Sequence, residues 1–151
     1  MELLELDMWI RDNFVYNRID KMENSKESII GIKIGYPKQR RFNIIGWYRQ
    51  WSFIFNNKKY EKLSFPTMNE RFESQLKNIV PYTDIETIIV GDLNIDYRII
   101  NKNEEDKNGY EKNFNPMINS LQQHLLGNNF TQLITSDTRQ NKMFIMSTVT
   151  M

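Results

Sequence analysis

An acid and an amide directly follow a short apolar run near the middle of the chain, in Gly91-Asp92-Leu93-Asn94. The preceding residues, Thr87–Val90, are typical of a strand buried on both faces. Polar side chains at the carboxyl end of such a strand point into the crevice where α/β proteins bind ligands. Asp92 could orient a water or help to hold a divalent metal, and Asn94 could donate to a phosphoryl oxygen without adding negative charge. The alternative is an ordinary Asp-Asn turn after a strand.

Positive charge and aromatic rings are interleaved between Lys33 and Lys62. This stretch holds eight Lys or Arg residues against one acid, Glu61, together with eight aromatic residues. Such a combination suits a phosphate backbone with bases close to ring faces. The alternative is that most of these rings belong to the core and that the cations form a solvated rim.

Length and composition indicate one intracellular domain or a piece of one. The chain has 151 residues, of which 40% are apolar and 26% charged, and its net charge of +1 predicts no partner by itself. No apolar run approaches the roughly 20 residues that a membrane helix needs, so we expect no membrane association. The opening MELLELDMW lacks the basic region of a signal peptide. Cysteine is absent, which excludes disulfides and thiolate metal sites. Nucleus and cytoplasm are equally compatible with these features.

The strands that must position Asp92 are predicted from hydropathy and turn residues. Met8–Ile19 predicts one or two short strands, and Met22–Lys26 predicts a turn. Ser28–Ile34 and Arg41–Tyr48 are rich in β-branched and aromatic residues, and turn residues separate them. They therefore predict a β-hairpin. Phe130–Thr135 predicts one more strand.

Two helices are predicted around this strand set. Thr67-Met68-Asn69-Glu70 predicts a capping box, and Pro81 predicts the end of the first helix. Its apolar positions at helical spacing are Met68, Phe72, Leu76 and Ile79. Asn115 predicts the cap of a second helix with Pro116 at its first position, and Gly127 predicts its end. The apolar face of that helix comprises Phe114, Met117, Ile118, Leu121 and Leu125.

The remaining segments are polar or lack clear signals. Asp96–Asn113 predicts a long surface loop, and Asn141–Met151 contains no clear turn or cap. Because strands and helices alternate after the hairpin, the sequence predicts an α/β or α+β layered domain.

Several segments, taken in order, resemble the endonuclease/exonuclease/phosphatase superfamily, whose fold is DNase I-like. The run TIIVGDLNID at 87–96 resembles the superfamily's GDFN motif, and IIGWYRQW at 44–51 resembles the strand ending in Tyr-Arg that precedes it. Residues 116–139, which contain FTQLI and a Thr-Arg pair, are similar to the QLI…TR segment. Met8–Ile19 is similar to a strand pair around Arg-Asp-Asn. The likeness is strongest to the apurinic-type endonuclease domain of non-LTR retrotransposons.

The resemblance implies a single partial domain over residues 1–151, with a family-like core at 8–139 and a divergent tail at 140–151. The implied fold is part of a four-layer α/β/β/α sandwich. The implied reaction is hydrolysis of DNA phosphodiester bonds with Mg²⁺ or Mn²⁺, in which the metal neutralises developing charge and the protein supplies positioning.

Roles for individual residues follow from the same resemblance. Asp92 is implied to orient the attacking water and to contribute to the metal site, and Asn94 to contact the scissile phosphate and position that acid. Tyr48 is implied to bring its hydroxyl to the phosphate or the leaving group. Contacts to nucleic acid are implied for Arg49, Thr138, Arg139 and Trp51.

Two of the family's functional groups have no counterpart in this chain. Glu2 and Glu5 lack the strand context of the family's metal-binding Glu, and after Thr138-Arg139 the chain reads QNKMFIMSTVTM, without Asp or His. The expectation is therefore a domain incomplete at both ends, whose uncovered sheet edges favour self-association. Three functions remain open: an endonuclease fragment, an inactive remnant with weak nucleic-acid binding, and a phosphatase of a small phosphoester. The QLI…TR segment points away from the last.

Other polar and aromatic residues near the motif have more ordinary expectations. His124, the only histidine, falls near the C-terminus of the second predicted helix, where the helix dipole favours a cation. A surface or capping role is expected for it. Asp96 is expected to support Asp92 indirectly or to lie at the surface. Of Trp47 and Trp51, one is expected in the core and the other near the mouth of the site.

Overall fold

The structure is a computed structural model that describes residues 8, 10, 14–23, 28–35, 41–49, 52–55, 59–62, 65–100, 102–125, 129–133 and 144–148. The strands within these residues are β1 (Tyr16–Arg18), β2 (Ile29–Gly35), β3 (Arg41–Tyr48), β4 (Ser52–Phe55), β5 (Lys59–Lys62), β6 (Thr87–Asp92), β7 (Phe130–Gln132) and β8 (Phe144–Thr148). Six of them form one sheet in the order β1-β2-β3-β6-β8-β7, and β4 and β5 form a separate hairpin.

Four helices accompany the strands in the described part of the chain. They are α1 (Phe65–Ile79), α2 (Tyr97–Ile100), α3 (Gly109–Lys112) and α4 (Asn115–His124). Single 3₁₀ turns lie at Asp20–Met22, Val80–Tyr82 and Glu104–Asp106. The predicted mixed α/β class is confirmed. No helix in the described segments has the length and apolar character needed to cross a bilayer.

The centre of the sheet is the parallel pair β3 and β6. The hairpin predicted from the two apolar segments is confirmed as antiparallel β2 and β3, with Ile32 opposite Ile44. On the other side of β3, β6 runs parallel in a register that pairs Ile44 with Ile88. Because β6 also pairs with β8, it lies inside the sheet, and its end delivers Asp92 to a central position rather than an edge.

One face of the sheet forms the main core with α1 and α4. From the sheet, Ile45, Trp47 and Ile89 are fully buried there. The apolar positions predicted for α1 and for α4 are all buried in the same cluster, so both helix faces are confirmed. These helices pack because their apolar side chains recur at the 3.6-residue period.

On the opposite face of the sheet, Ile32 and Ile34 of β2 are buried, whereas the apolar residues of β3 and β6 are less fully covered. Along β3 and β6 its register pairs join Ile44 to Ile88, Gly46 to Val90 and Tyr48 to Asp92. Ile44, Ile88 and Val90 are half-buried, whereas their neighbours on the core face are buried. The prediction that β6 is buried on both faces therefore holds fully for one face and partly for the other.

Several predicted boundaries are wrong. Helix α1 begins at Phe65, two residues before Thr67, so the predicted capping box lies inside the helix. Pro66 is tolerated there because the first turn has no intrahelical acceptor for its missing N–H. Asn115 is the first residue of α4 rather than its cap, and Phe114 holds the cap position. The end of the first helix is confirmed, since Pro81 lies in the 3₁₀ turn that follows α1.

The segment Asp96–Asn113 is not the structureless loop that its polarity predicts. It contains α2, a 3₁₀ turn and α3, and Ile99 and Ile100 are buried in the core. Helix α3 carries a true capping box, in which Asn108 Oδ1 accepts from the Glu111 backbone N–H at 2.9 Å and Glu111 Oε2 accepts from the Asn108 N–H at 3.1 Å. The Asn-x-x-Glu spacing in the sequence is typical of a capping box, but the charged residues around it favoured the prediction of a loop.

The C-terminal segment adds a strand that the sequence did not predict. Strand β8 lies between β6 and β7 and pairs antiparallel with both, with Ile89 opposite Met146. Within the described residues the sheet ends at β1 on one side and β7 on the other. Self-association through such edges stays a prediction.

Candidate functional site

The two predicted site residues Tyr48 and Asp92 are neighbours across the parallel pair of strands. They are register partners at the carboxyl ends of β3 and β6, and both are half-buried. Because side chains alternate along each strand, this register places both on the sheet face opposite the main core. On that face the register pairs of Ile44 and Gly46 are apolar, whereas the last pair sets the Tyr48 phenol beside the Asp92 carboxylate.

Asn94 is held next to Asp92 by a tight turn. The Asn94 backbone N–H donates to Asp92 Oδ1 at 2.8 Å, and Asn94 has a left-handed φ of 52°. Asn tolerates this conformation better than most residues because its short side chain makes local hydrogen bonds. Among the described residues, the second carboxylate oxygen of Asp92 accepts no hydrogen bond. The turn that the sequence offered as an alternative is therefore present, and it occupies one of the two Asp92 carboxylate oxygens.

Gly91 is required where it stands because the two strands approach closely. A Cβ atom added to Gly91 would lie 1.7 Å from the carbonyl oxygen of Trp47, its register partner. Its φ of 156° also belongs to the region that side chains rarely adopt. Glycine in the motif thus sets the spacing of the strands immediately before Asp92.

Arg49 is buried beneath the turn, which differs from the phosphate contact expected for it. The residue is 2% exposed, and its guanidinium donates through Nε to the Leu93 carbonyl and through Nη2 to the Asn94 carbonyl at 2.5 Å. The guanidinium carbon lies 5.5 Å from the centre of the Phe114 ring. Two of its donors, Nε and Nη2, thus serve the protein's own backbone.

The burial of Arg49 places a cation next to the candidate acid. Desolvation lowers the pKa of Arg49 to about 10, and the Asp92 carboxylate and the phenols of Tyr110 and Tyr48 partly offset that effect. At neutral pH the guanidinium therefore stays charged.

Helix α1 supports the end of β3 through a side chain that sequence reasoning missed. Gln75 is buried; its Oε1 accepts from Trp47 Nε1 at 2.9 Å and its Nε2 donates to the Tyr48 carbonyl at 3.4 Å. Trp47, the tryptophan in the core, also stacks on Phe72 with ring centres 5.0 Å apart. The sequence feature that could have indicated this role is a glutamine placed among the apolar positions of α1.

Of the other predicted residues, the structure describes Asp96 and His124. Asp96 is engaged by Arg98, whose Nη2 lies 2.5 Å from Asp96 Oδ2. His124 is the last residue of α4 and is half-buried. Trp51, Thr138 and Arg139 lie outside the described residues, as do Glu2 and Glu5.

The site can be compared with the oxygen-rich sites of Mg²⁺ and Mn²⁺. In the segments that the structure describes, no three His, Cys, Asp or Glu side chains converge on a common point. Asp92 contributes one carboxylate with one oxygen already bonded to the Asn94 amide, and this alone does not complete a site for either ion. The metal stays a prediction.

Comparison with known proteins adds no family assignment. The chain matches no protein-family model, and no curated protein matches it. The groups that the ends of β3 and β6 bring together are a carboxylate, a neutral amide and a phenol.

Proposed function

We propose that this chain is part of a metal-dependent phosphodiesterase domain of the retrotransposon endonuclease type, which hydrolyses DNA phosphodiester bonds. The observation that carries the proposal is the register pairing of Tyr48 with Asp92, since residues 44 positions apart in the sequence converge at one sheet end. Ligand sites in α/β domains form at the carboxyl ends of parallel strands. Asn94, bonded to Asp92, adds the third group of the motif.

The same proposal includes a DNase I-like sandwich. Helices α1 and α4 cover one sheet face, and Ile44, Ile88 and Val90 on the other face are only half-buried. A sandwich of two sheets covers such an apolar face with a second sheet. The incomplete burial supports a larger, layered domain.

Each side chain has a distinct task in the proposed reaction. Asp92 orients the attacking water through its second carboxylate oxygen and accepts its proton, and Asn94 donates to a phosphoryl oxygen without adding negative charge. The Tyr48 hydroxyl donates to the phosphate or the leaving group. A bound Mg²⁺ or Mn²⁺ would supply further charge neutralisation at the phosphate.

Nicking of supercoiled plasmid in Mg²⁺ tests the catalytic role of Asp92. Asp92→Asn removes the proton acceptor but keeps the shape, and we expect the nicking rate to fall by about 100-fold or more. Asp84→Asn is the matched control, because exposed Asp84 precedes the opposite end of β6. Equal rates for the two variants would refute the catalytic assignment.

A salt titration of duplex DNA binding tests the partner. Phosphate contacts release counterions, so affinity must fall steeply as salt rises. We expect measurable binding near about 50 mM salt that is lost by about 200 mM. Binding that is absent at low salt, or insensitive to salt, counts against DNA as the substrate.

An inactive remnant with weak nucleic-acid binding is the second candidate. It is favoured by the internal hydrogen bonds of both motif side chains, since Asn94 Nδ2 donates to the Arg49 carbonyl at 3.0 Å and Asp92 Oδ1 accepts from Asn94. The plasmid assay separates the two candidates. A remnant gives salt-dependent binding with the same background nicking in wild type and Asp92→Asn.

A further inference from the structure

Arg49 joins the end of β3 to the residues that follow β6 through bonds in both directions. Its backbone N–H donates to the Asp92 carbonyl at 2.9 Å, and its guanidinium donates to the carbonyls of Leu93 and Asn94. In return Asn94 Nδ2 donates to the Arg49 carbonyl at 3.0 Å. Arg49 and Asn94 thus each bond to the backbone of the other. Asp92 belongs to the same link because its carbonyl accepts from the Arg49 N–H.

The surroundings of the guanidinium hold it in place. Nη1 lies 3.6 Å from Met68 Sδ of α1, and the Phe114 ring before α4 lies 5.5 Å from the guanidinium carbon. A side chain enclosed by two helices and bonded to two carbonyls is not available to a phosphate at the surface. Its effect on the site must therefore pass through the backbone that it holds.

From these contacts we infer that Arg49 is a positioning residue: it fixes the Leu93 and Asn94 carbonyls and so keeps Asn94 and the Asp92 carboxylate beside Tyr48. The catalytic consequence rests on the proposed function, whereas the structural link does not. Asn94 needs such support because a left-handed conformation costs a non-glycine residue free energy. Arginine suits the task because its planar fork reaches two successive carbonyls, which a lysine ammonium cannot do in the same geometry.

Backbone amide hydrogen exchange at Asn94 tests the link without relying on activity. Arg49→Met keeps the length and apolar contacts but removes the donors, and we expect the Asn94 amide to exchange about tenfold faster or more, the effect of one or two lost hydrogen bonds. Arg49→Lys should give an intermediate rate and serves as the comparison if Arg49→Met does not fold. The amide of Ile89, inside β6, should keep its rate and report an intact sheet.

Arg98→Met is the matched control for this experiment. It makes the same chemical change in the next arginine after the turn, where Arg98 is exposed and pairs with Asp96. Its Asn94 exchange rate should equal that of the wild type. If Arg49→Met also leaves the Asn94 rate unchanged, the positioning role is wrong, whatever the nicking assay shows.

Kinetics and salt dependence distinguish positioning from a direct phosphate contact. For Arg49→Met we expect kcat for plasmid nicking to fall at least tenfold with KM unchanged, and the slope of log affinity against log salt to stay at its wild-type value. A slope reduced by about 1 would show a lost phosphate contact and overturn the inference. A wild-type chain that neither binds nor nicks DNA refutes the proposed function, while the exchange rates still decide the role of Arg49.

Discussion

Trp47 and Gly91 are register partners on β3 and β6, and the Trp47 carbonyl oxygen lies 1.7 Å from the position that a Cβ atom of residue 91 would take. This contact leaves no room for a side chain at residue 91. The indole of Trp47 lies in the core, and because side chains alternate along a strand, Tyr48 lies on the other face of the sheet beside its register partner Asp92.

Gly91→Ala should destabilise the fold strongly. The added methyl meets backbone that cannot move aside like a flexible side chain, and the φ of Gly91 is unfavourable for alanine. We expect the free energy of unfolding to fall by about 3 kcal/mol or more, measured by urea denaturation.

Gly109→Ala is the control for that substitution. A Cβ at Gly109 meets nothing within 4 Å, and the residue begins α3. The free energy of unfolding of Gly109→Ala should stay within about 0.5 kcal/mol of the wild-type value. Equal losses at both glycines would contradict the close approach of β3 and β6.

Gln75→Leu should destabilise the protein through the buried indole of Trp47. Leucine fills a similar volume but leaves Trp47 Nε1 without the acceptor that it has at 2.9 Å. An unsatisfied buried donor costs about 1–3 kcal/mol. Thermal and urea unfolding of Gln75→Leu, Trp47→Phe and the double variant form a cycle, in which the double variant should lose less than the sum. Strict additivity would show that the two side chains do not interact.

Asn94→Ala and Asn94→Gly should differ in stability. Both remove the carboxamide, but only glycine adopts the left-handed φ of 52° without strain. We expect Asn94→Gly to be more stable than Asn94→Ala by about 1 kcal/mol in urea unfolding. The same pair of substitutions at Asn129, an exposed residue with φ 66°, should show the same difference. No difference at either position would contradict the left-handed turns.

The stability of the α3 region should depend on pH through Glu111. The hydrogen bond from Lys102 and the bond from the Asn108 backbone hold the pKa of Glu111 below its ordinary value. Since the folded state binds this proton less readily than the unfolded state, the stabilisation is present above about pH 4.3 and is lost as the pH falls through the folded pKa.

Glu111→Gln is the variant that checks this dependence. We expect it to lower the melting temperature at pH 7 and to have a smaller effect at pH 3, because protonation of Glu111 increases as the pH falls. Glu105→Gln, in the exposed 3₁₀ turn nearby, is the charge-matched control and should lower the melting temperature at pH 7 less than Glu111→Gln does. A Glu111→Gln deficit that is the same at both pH values would refute the linkage.

Much of the fold was readable from local patterns. The β2–β3 hairpin, the end of α1 at Pro81 and the buried faces of both long helices follow from periodicity and turn residues, which act over a few residues. Two segments were not predicted correctly. The polar segment that contains Asn108 and Glu111 was predicted as a loop but forms short helices. Strand β8 was not predicted, because its partner strand β6 is far away in the sequence.

For the candidate site, the sequence by itself determined which groups are offered: an acid, an amide and a glycine after an apolar strand, with a Tyr-Arg pair ending another strand. Only the tertiary structure decided where they go. Parallel pairing of β3 and β6 sets Tyr48 beside Asp92, and it sends Arg49 inward to the carbonyls of Leu93 and Asn94. The physical reason is that register and burial depend on contacts between residues more than 40 positions apart, which local propensity does not encode.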